Sequence, residues 1–545
     1  MNFYFRCLVL SSCVFVSNSF AQPAEIILRQ GKIISADEKD NIYQAVAIRD
    51  GKIISLGSNS SIKKLQGPAT KVIDLKGKTV IPGLIDSHMH AIRAALSYST
   101  EVHWFGLPTI GAALDKLKHA SAQAKPGEWL VVAGGWTEEQ FKEGRRPTQE
   151  ELLDAAPRNP VYVQWMYDWV MLTPLAYQSL NIKSEADLPS GSKFQLDASG
   201  KPTGAIVGGI VQLFDKLPKP SFEDKVVGTQ KFFKELNRVG VTGVLDPGGF
   251  NMTPAEYQPL FQVWRSKNLT VRVNFSYFAQ KSNKELEEFK ELTQLLPMSF
   301  GDDMLRFNGI GERVTFSMYN NNKVSPTDQE KLYQVAKWAA ENGYTLTQHW
   351  HENATVGTLL EVFEKVNQDI PIAKLRWSIA HLNNGDETTF KRMKALGVGW
   401  AMQDAMYLDG DKALHRHGEK ALERMPPINT ALKVGVNIGA GTDAHRVADY
   451  NPFIALRWML DGKSASGRKL RGIEETPTRI QALKMYTSGS AWLAHDENRR
   501  GTLEVGKLAD LVVLSDDYLK VPIEKMAQIH SKLTIVGGKV VYQSD

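Results

Sequence analysis

Five side chains in this sequence combine metal-binding chemistry with a repeated position. His88 and His90 end the apolar run 80–90, His349 falls at the end of 344–350, His381 at the end of 376–382, and Asp443 at the end of 436–443. Neutral imidazole nitrogens and a carboxylate suit Zn²⁺ and similar divalent ions, and a site without a full protein shell keeps a position for water. A His-x-His pair alone is weak evidence. Followed by two more strand-end histidines and a strand-end aspartate, it becomes specific. Each histidine taken singly fits an ordinary polar residue at a loop start; the ordered set does not. The only cysteines are Cys7 and Cys13, and there is no Gly-x-Ser-x-Gly elbow, so neither a thiolate nor a serine-elbow mechanism is supported.

Such ligands meet only if the chain brings several strand ends together. Candidate strands at 80–90, 241–246, 271–278, 305–314, 344–350, 376–382, 398–404 and 436–443 alternate with amphipathic stretches such as 329–342 and 357–367. Strand–helix alternation argues a parallel sheet, and eight repeats argue an α/β fold of the closed (β/α)₈ TIM-barrel type, whose chemistry sits at the C-terminal ends of the strands. Residues two apart on a strand share a face, which would aim His88 and His90 into the barrel mouth. The gap from His90 to Val241 is too long for a loop and must hold inserted structure. Short β-type runs at 25–28, 45–48, 52–55 and 71–74 match others at 510–514, 533–536 and 539–542. Pairing the two sets covers their edges, which predicts one small β-sandwich built from both termini. The expected boundaries are 22–82 with 501–545 for the sandwich, 83–98 with 236–500 for the barrel, and 99–235 for an insert serving as a lid or substrate domain.

Composition narrows the classes. Hydrophobic residues make up 43% and charged residues 23%, with a formal charge of +5, which excludes a disordered, collagen-like or coiled-coil chain. No block of like charge points to nucleic acid. The expected partner is a small-molecule substrate, with self-association into a homo-oligomer left open. Residues 1–21 read as a secretory signal peptide: Arg6 is basic, 7–16 is apolar but too short to span a bilayer, and Ser19-Phe20-Ala21 is a cleavage site. The alternative is an uncleaved N-terminal anchor. With cleavage near Ala21, the mature chain is free of cysteine, has no membrane segment and is secreted or periplasmic.

Residues 72–90, ending Pro82-Gly83-Leu84-Ile85-Asp86-Ser87-His88-Met89-His90, resemble the opening signature of the metal-dependent amidohydrolase superfamily. Gly501-Thr502-Leu503-Glu504-Val505-Gly506-Lys507-Leu508-Ala509-Asp510 resembles its closing one. Gly134-Gly135-Trp136, Gly200-Lys201-Pro202-Thr203-Gly204 and Gly439-Ala440-Gly441-Thr442-Asp443-Ala444 are similar to amidohydrolase family 3, in the branch that includes N-substituted formamide deformylase.

The resemblance implies that His88, His90, His349 and His381 bind one or two divalent ions, zinc being expected, with Asp443 as both ligand and proton shuttle. The implied reaction is hydrolysis of an amide or N-formyl C–N bond. Alternatives on the same scaffold are a heterocycle deaminase, a lactonase, or a non-catalytic metal-containing binding protein. The family usually carries a carboxylated lysine on the fourth strand, yet no lysine lies between Lys290 and Lys323. Glu312 is the expected bridging ligand in its place; otherwise it pairs with Arg313 and one metal binds. Asp168-Trp169-Val170 replaces a family Asp-Gly-His, so a substrate-facing histidine is missing. Trp136, Trp350 and His351 are expected substrate contacts, with His351 also an alternate ligand.

Overall fold

The computed structural model describes residues 22–319 and 324–544. The expected signal peptide, 1–21, lies outside the described residues. Eight parallel strands form the central sheet: β1 (Leu84–Asp86), β2 (Val241–Asp246), β3 (Arg272–Tyr277), β4 (Leu305–Glu312), β5 (Leu346–Trp350), β6 (Ser378–His381), β7 (Gly399–Gln403) and β8 (Ile438–Gly441). They neighbour one another in chain order. The seam between β8 and β1 is closed by backbone bonds: Ser87 N–H donates to the Ala440 carbonyl at 3.0 Å and Asp443 N–H to the His88 carbonyl at 2.7 Å. The sheet is thus the expected barrel, and its closure places Asp443 beside His88.

The strands form here because both faces are covered. Every residue of β2 and β3 is buried, as parallel strands under a layer of helices require. The helices carry explicit start signals. Ser221 and Asp224 make a capping box for Phe222–Arg238, and Ser325 and Asp328 do so for Pro326–Glu341. Their apolar stripes, including Phe232, Phe233, Leu332 and Val335, join the barrel core.

One predicted element divides. The run 80–90 contains two strands, Thr79–Pro82 and β1, separated at Gly83. A Cβ at Gly83 would lie 2.2 Å from Thr242 Oγ1, so only glycine lets the chain cross there from one sheet to the other. His88 and His90 consequently stand beyond β1, in the turn leading into the helix Ala91–Ser97.

Thr79–Pro82 belongs to a six-stranded sheet that also holds Leu511–Leu514, Ser531–Val536 and Lys539–Gln543. A four-stranded sheet, including Ala24–Arg29 and Gln66–Asp74, packs on it. Leu28, Val46 and Ile48 share one core with Val80, Leu511 and Ile535, which is the expected sandwich of both termini. Between β1 and β2 the insert builds its own five-stranded sheet around Val161–Trp165 and Trp169–Leu172. Among the described residues, no helix is long and apolar enough to cross a membrane.

Candidate metal centre

At the C-terminal ends of the strands, one carboxylate stands between two pairs of imidazoles. Glu312 Oε2 lies 3.5 Å from His88 Nε2 and 3.4 Å from His90 Nε2. Glu312 Oε1 lies 3.5 Å from His349 Nε2 and 3.0 Å from His381 Nε2. Asp443 Oδ1 completes the group, 3.3 Å from His90 Nε2 and 3.8 Å from His88 Nε2. The structure therefore gathers all six expected ligands. Glu312 is not paired with Arg313, whose guanidinium donates to the Ala279 carbonyl at 2.6 and 2.9 Å and lies over Phe316.

The site residues are held from behind. The His90 ring shares its Nδ1 with the Gly248 carbonyl at 2.5 Å, and His349 shares Nδ1 with the Tyr319 carbonyl at 2.8 Å. Such bonds leave Nε2 of each ring free to face the centre. Asp86 accepts from the His88 backbone N–H at 3.0 Å and from Thr442 Oγ1 at 2.8 Å, so it ties the turn after β1 to the end of β8. His381 and Asp443 both adopt left-handed backbone, with φ of 69° and 59°. Buried non-glycine residues in that conformation are enriched at functional sites.

The electrostatics match a cation site. Burial disfavours the Glu312 carboxylate, but His349 and His88 hold its pKa well below the ordinary range. Burial opposes a charged His88, yet Glu312, with Asp443 and Asp86, raises it to about 9. His349 goes the other way, to about 4, through burial and the neighbouring His381. Glu312 Oε2 and His88 Nε2 are both buried and, among the described residues, neither has a hydrogen-bond partner. Buried polar atoms left so are costly. A divalent ion between nitrogen and carboxylate donors would satisfy both, and three overlapping groups have the required reach: His88, His90 and Glu312; His88, His381 and Asp443; and His349, His351 and His381.

His351 stacks on His381, with ring centroids 4.4 Å apart, and meets His349 edge-on at 4.6 Å. It stands at the centre as expected. The tryptophans do not. Trp350 alternates with His349 along β5, is fully buried in the barrel core, and gives its indole N–H to Thr355 Oγ1 at 3.1 Å. Trp136 is fully buried beside Trp104 and Phe141 in the insert, with its N–H on the Gln164 carbonyl at 2.8 Å. Both are packing residues; a tryptophan next to a ligand on a strand points to the opposite face.

Other residues at the site were not foreseen. Tyr319 stacks on His349 at 4.4 Å. Arg93, one turn after His90, donates to the Tyr167 hydroxyl at 2.6 Å. Glu101, at the start of the insert, receives His445 Nε2 at 2.8 Å and Arg446 Nη1 at 2.9 Å, anchoring the loop that carries Asp443. Only the spacing of Arg93 from His90, three positions along a helix, could have flagged any of them.

Comparison with known proteins agrees with this geometry. The sequence pattern of the Amidohydrolase family matches residues 71–542. The chain is 25% identical over 542 residues to protein LONG AFTER FAR-RED 3 of Arabidopsis thaliana, covering 95% of this chain and 92% of that one. It is 22% identical to N-substituted formamide deformylase of Arthrobacter pascens over 559 residues, covering 96% and 99%. Among solved structures, an uncharacterized metal-dependent hydrolase from Pyrococcus horikoshii superposes with a TM-score of 0.66 at 21% identity, over 92% of this chain and 99% of that one. The chain belongs to the amidohydrolase family.

Proposed function

We propose that this protein is an exported hydrolase of an amide or N-formyl bond, in which Glu312 would be the carboxylate shared by two divalent ions and Asp443 would move the proton. The observation that carries the reading is the split of one carboxylate between two imidazole pairs, Oε2 toward His88 and His90 and Oε1 toward His349 and His381. A glutamate fills this role without CO₂ having to modify a lysine. The nitrogen-rich donor set favours zinc over magnesium or calcium. Export rests on the signal-like segment 1–21 and on the lack of cysteine after it.

An ion held by His88, His90, Glu312, His349, His381 and Asp443 would supply Lewis acidity for the water and the carbonyl. The chain does the rest. Asp443 is fixed by its backbone bond to His88 and kept ionised by His90 and His88 against the cost of burial. It takes a proton from the attacking water and returns it to the departing nitrogen as the C–O bond forms and the C–N bond breaks. His351, against His349 and His381, is placed to touch the acyl group. The likeness to a formamide deformylase supports this choice of bond.

The test is product analysis with metal-loaded protein and a panel of N-substituted formamides, simple amides, aminoheterocycles and lactones. Release of amine and carboxylic acid in equal amounts is expected. Ammonia from a ring substrate, or lactone opening alone, would replace the reading. Inertness toward all four would make the protein a binder.

A further inference from the structure

A cavity of about 180 Å³ opens between the insert and the barrel, with Arg93 in its wall. Its walls are mostly apolar where the insert meets the barrel helices, with Leu96, Val211, Phe214, Phe250 and Met252 among them. Four cations also reach it, and three are answered by carboxylates. Lys219 Nζ is 3.0 Å from Asp215, Lys225 Nζ is 3.1 Å from Glu256, and Arg446 Nη1 is 2.9 Å from Glu101. Arg93 is the exception. Among the described residues no carboxylate comes within ion-pair distance of it, and it donates to the Tyr167 hydroxyl at 2.6 Å. Its fork geometry fits a carboxylate on two donors.

Arg93 stands behind His90, close enough for the Asp443 charge to act on it. A Cβ built on Gly249 would lie 3.5 Å from Arg93 Nε and equally 3.5 Å from His90 Nδ1, so guanidinium and imidazole flank one point. A row of rings connects the two sides. Tyr319 stacks on His349, Phe250 meets Tyr319 at 6.1 Å, and Tyr167 meets Phe250 at 5.8 Å. Arg93 lies 5.8 Å from the centroids of both Tyr167 and Phe250.

We propose that Arg93, steadied by Tyr167, anchors a carboxylate on the substrate while the apolar cavity takes an adjoining hydrocarbon group, so that the substrate is an N-acyl compound bearing an acid and not a neutral formamide. This rests on the hydrolytic reading above, and it names what that site selects. The reaction consumes one water and yields a carboxylic acid and an amine that still carries its own carboxylate.

The experiment uses the metal-loaded full chain and N-formyl-leucine, in both enantiomers, each paired with its primary amide. Two readouts are taken: kcat/KM, and the rise in melting temperature at saturating probe. The acid of one enantiomer is expected to exceed its amide by about 100-fold in kcat/KM, the range that a charge-assisted bond supplies, and to give the larger thermal shift. Arg93→Gln should bring that ratio to about one, and Arg93→Lys should restore part of it, which a merely misfolded variant would not show. Equal handling of acid and amide by the unmutated protein, or a preference that survives in Arg93→Gln, overturns the proposal and leaves the hydrolytic reading intact. An Arg93-dependent thermal shift without turnover would defeat the hydrolytic reading alone.

Discussion

Two buried charged clusters occupy opposite ends of the barrel, and they are built differently. At the N-terminal end, Arg272 opens β3 and meets Asp510 of the terminal sandwich with Nε–Oδ2 at 2.7 Å and Nη2–Oδ1 at 2.9 Å. The Gly537 N–H adds 2.7 Å to the same carboxylate, and both side chains are only 4% exposed. The two charges of this pair face each other directly. At the C-terminal end, Glu312 and four imidazoles face a shared space, and Glu312 Oε2 and His88 Nε2 find no hydrogen-bond partner among the described residues. A self-satisfied cluster stabilises; a cluster that needs an outside cation binds one. Burial and charge are alike in both, so the completeness of the pairing tells them apart.

Mutation should separate the two ends. The largest expected effect is on turnover: Asp443→Asn should cut kcat by about 10³-fold, within the span of general acid–base catalysis, while a melting curve stays close to that of the unmutated protein. Arg272→Ala should do the converse. It strands a buried carboxylate and should cost about 3–5 kcal/mol of stability, read by denaturant unfolding, with the metal content of the folded fraction unaltered. If Arg272→Ala lost metal and kept its stability, the contrast between the ends would fail.

A smaller effect is expected in acid. Burial works against the Asp510 carboxylate, but Arg272 lowers its pKa below the ordinary value. A depressed folded-state pKa contributes stability that is complete above the unfolded value of about 3.9 and is lost as pH falls through the folded one. Asp510→Asn should therefore flatten the acid limb of stability against pH below about 4, and an unchanged limb would place the acid sensitivity elsewhere. Least of all, Trp136→Phe should cost about 1 kcal/mol through the lost bond to Gln164 with KM unmoved. A raised KM would return Trp136 to the substrate.

Much of the mouth was legible in the sequence because its ligands recur at strand ends, and barrel topology carries strand ends to one place. Glu312 was legible by substitution: a carboxylate stands where a lysine was expected. The split of 80–90 into two strands was hidden, because Gly83 marks a crossing of sheets that an unbroken apolar run does not reveal. Trp136 and Trp350 were misread because nearness in sequence to a glycine motif or to His349 says nothing about which face a ring occupies. Arg93, Tyr167 and Glu101 were invisible for a different reason. Their roles depend on how the insert folds back on the barrel, and Glu101 and Arg446 are far apart in the chain yet 2.9 Å apart in space.

The central claim is that one carboxylate serves two ions. Elemental analysis of the purified, metal-saturated protein and of Glu312→Gln tests it most directly. Two equivalents in the unmutated protein, falling to one or fewer in Glu312→Gln with the barrel still folded by circular dichroism, is the predicted result. One equivalent in both proteins would contradict it.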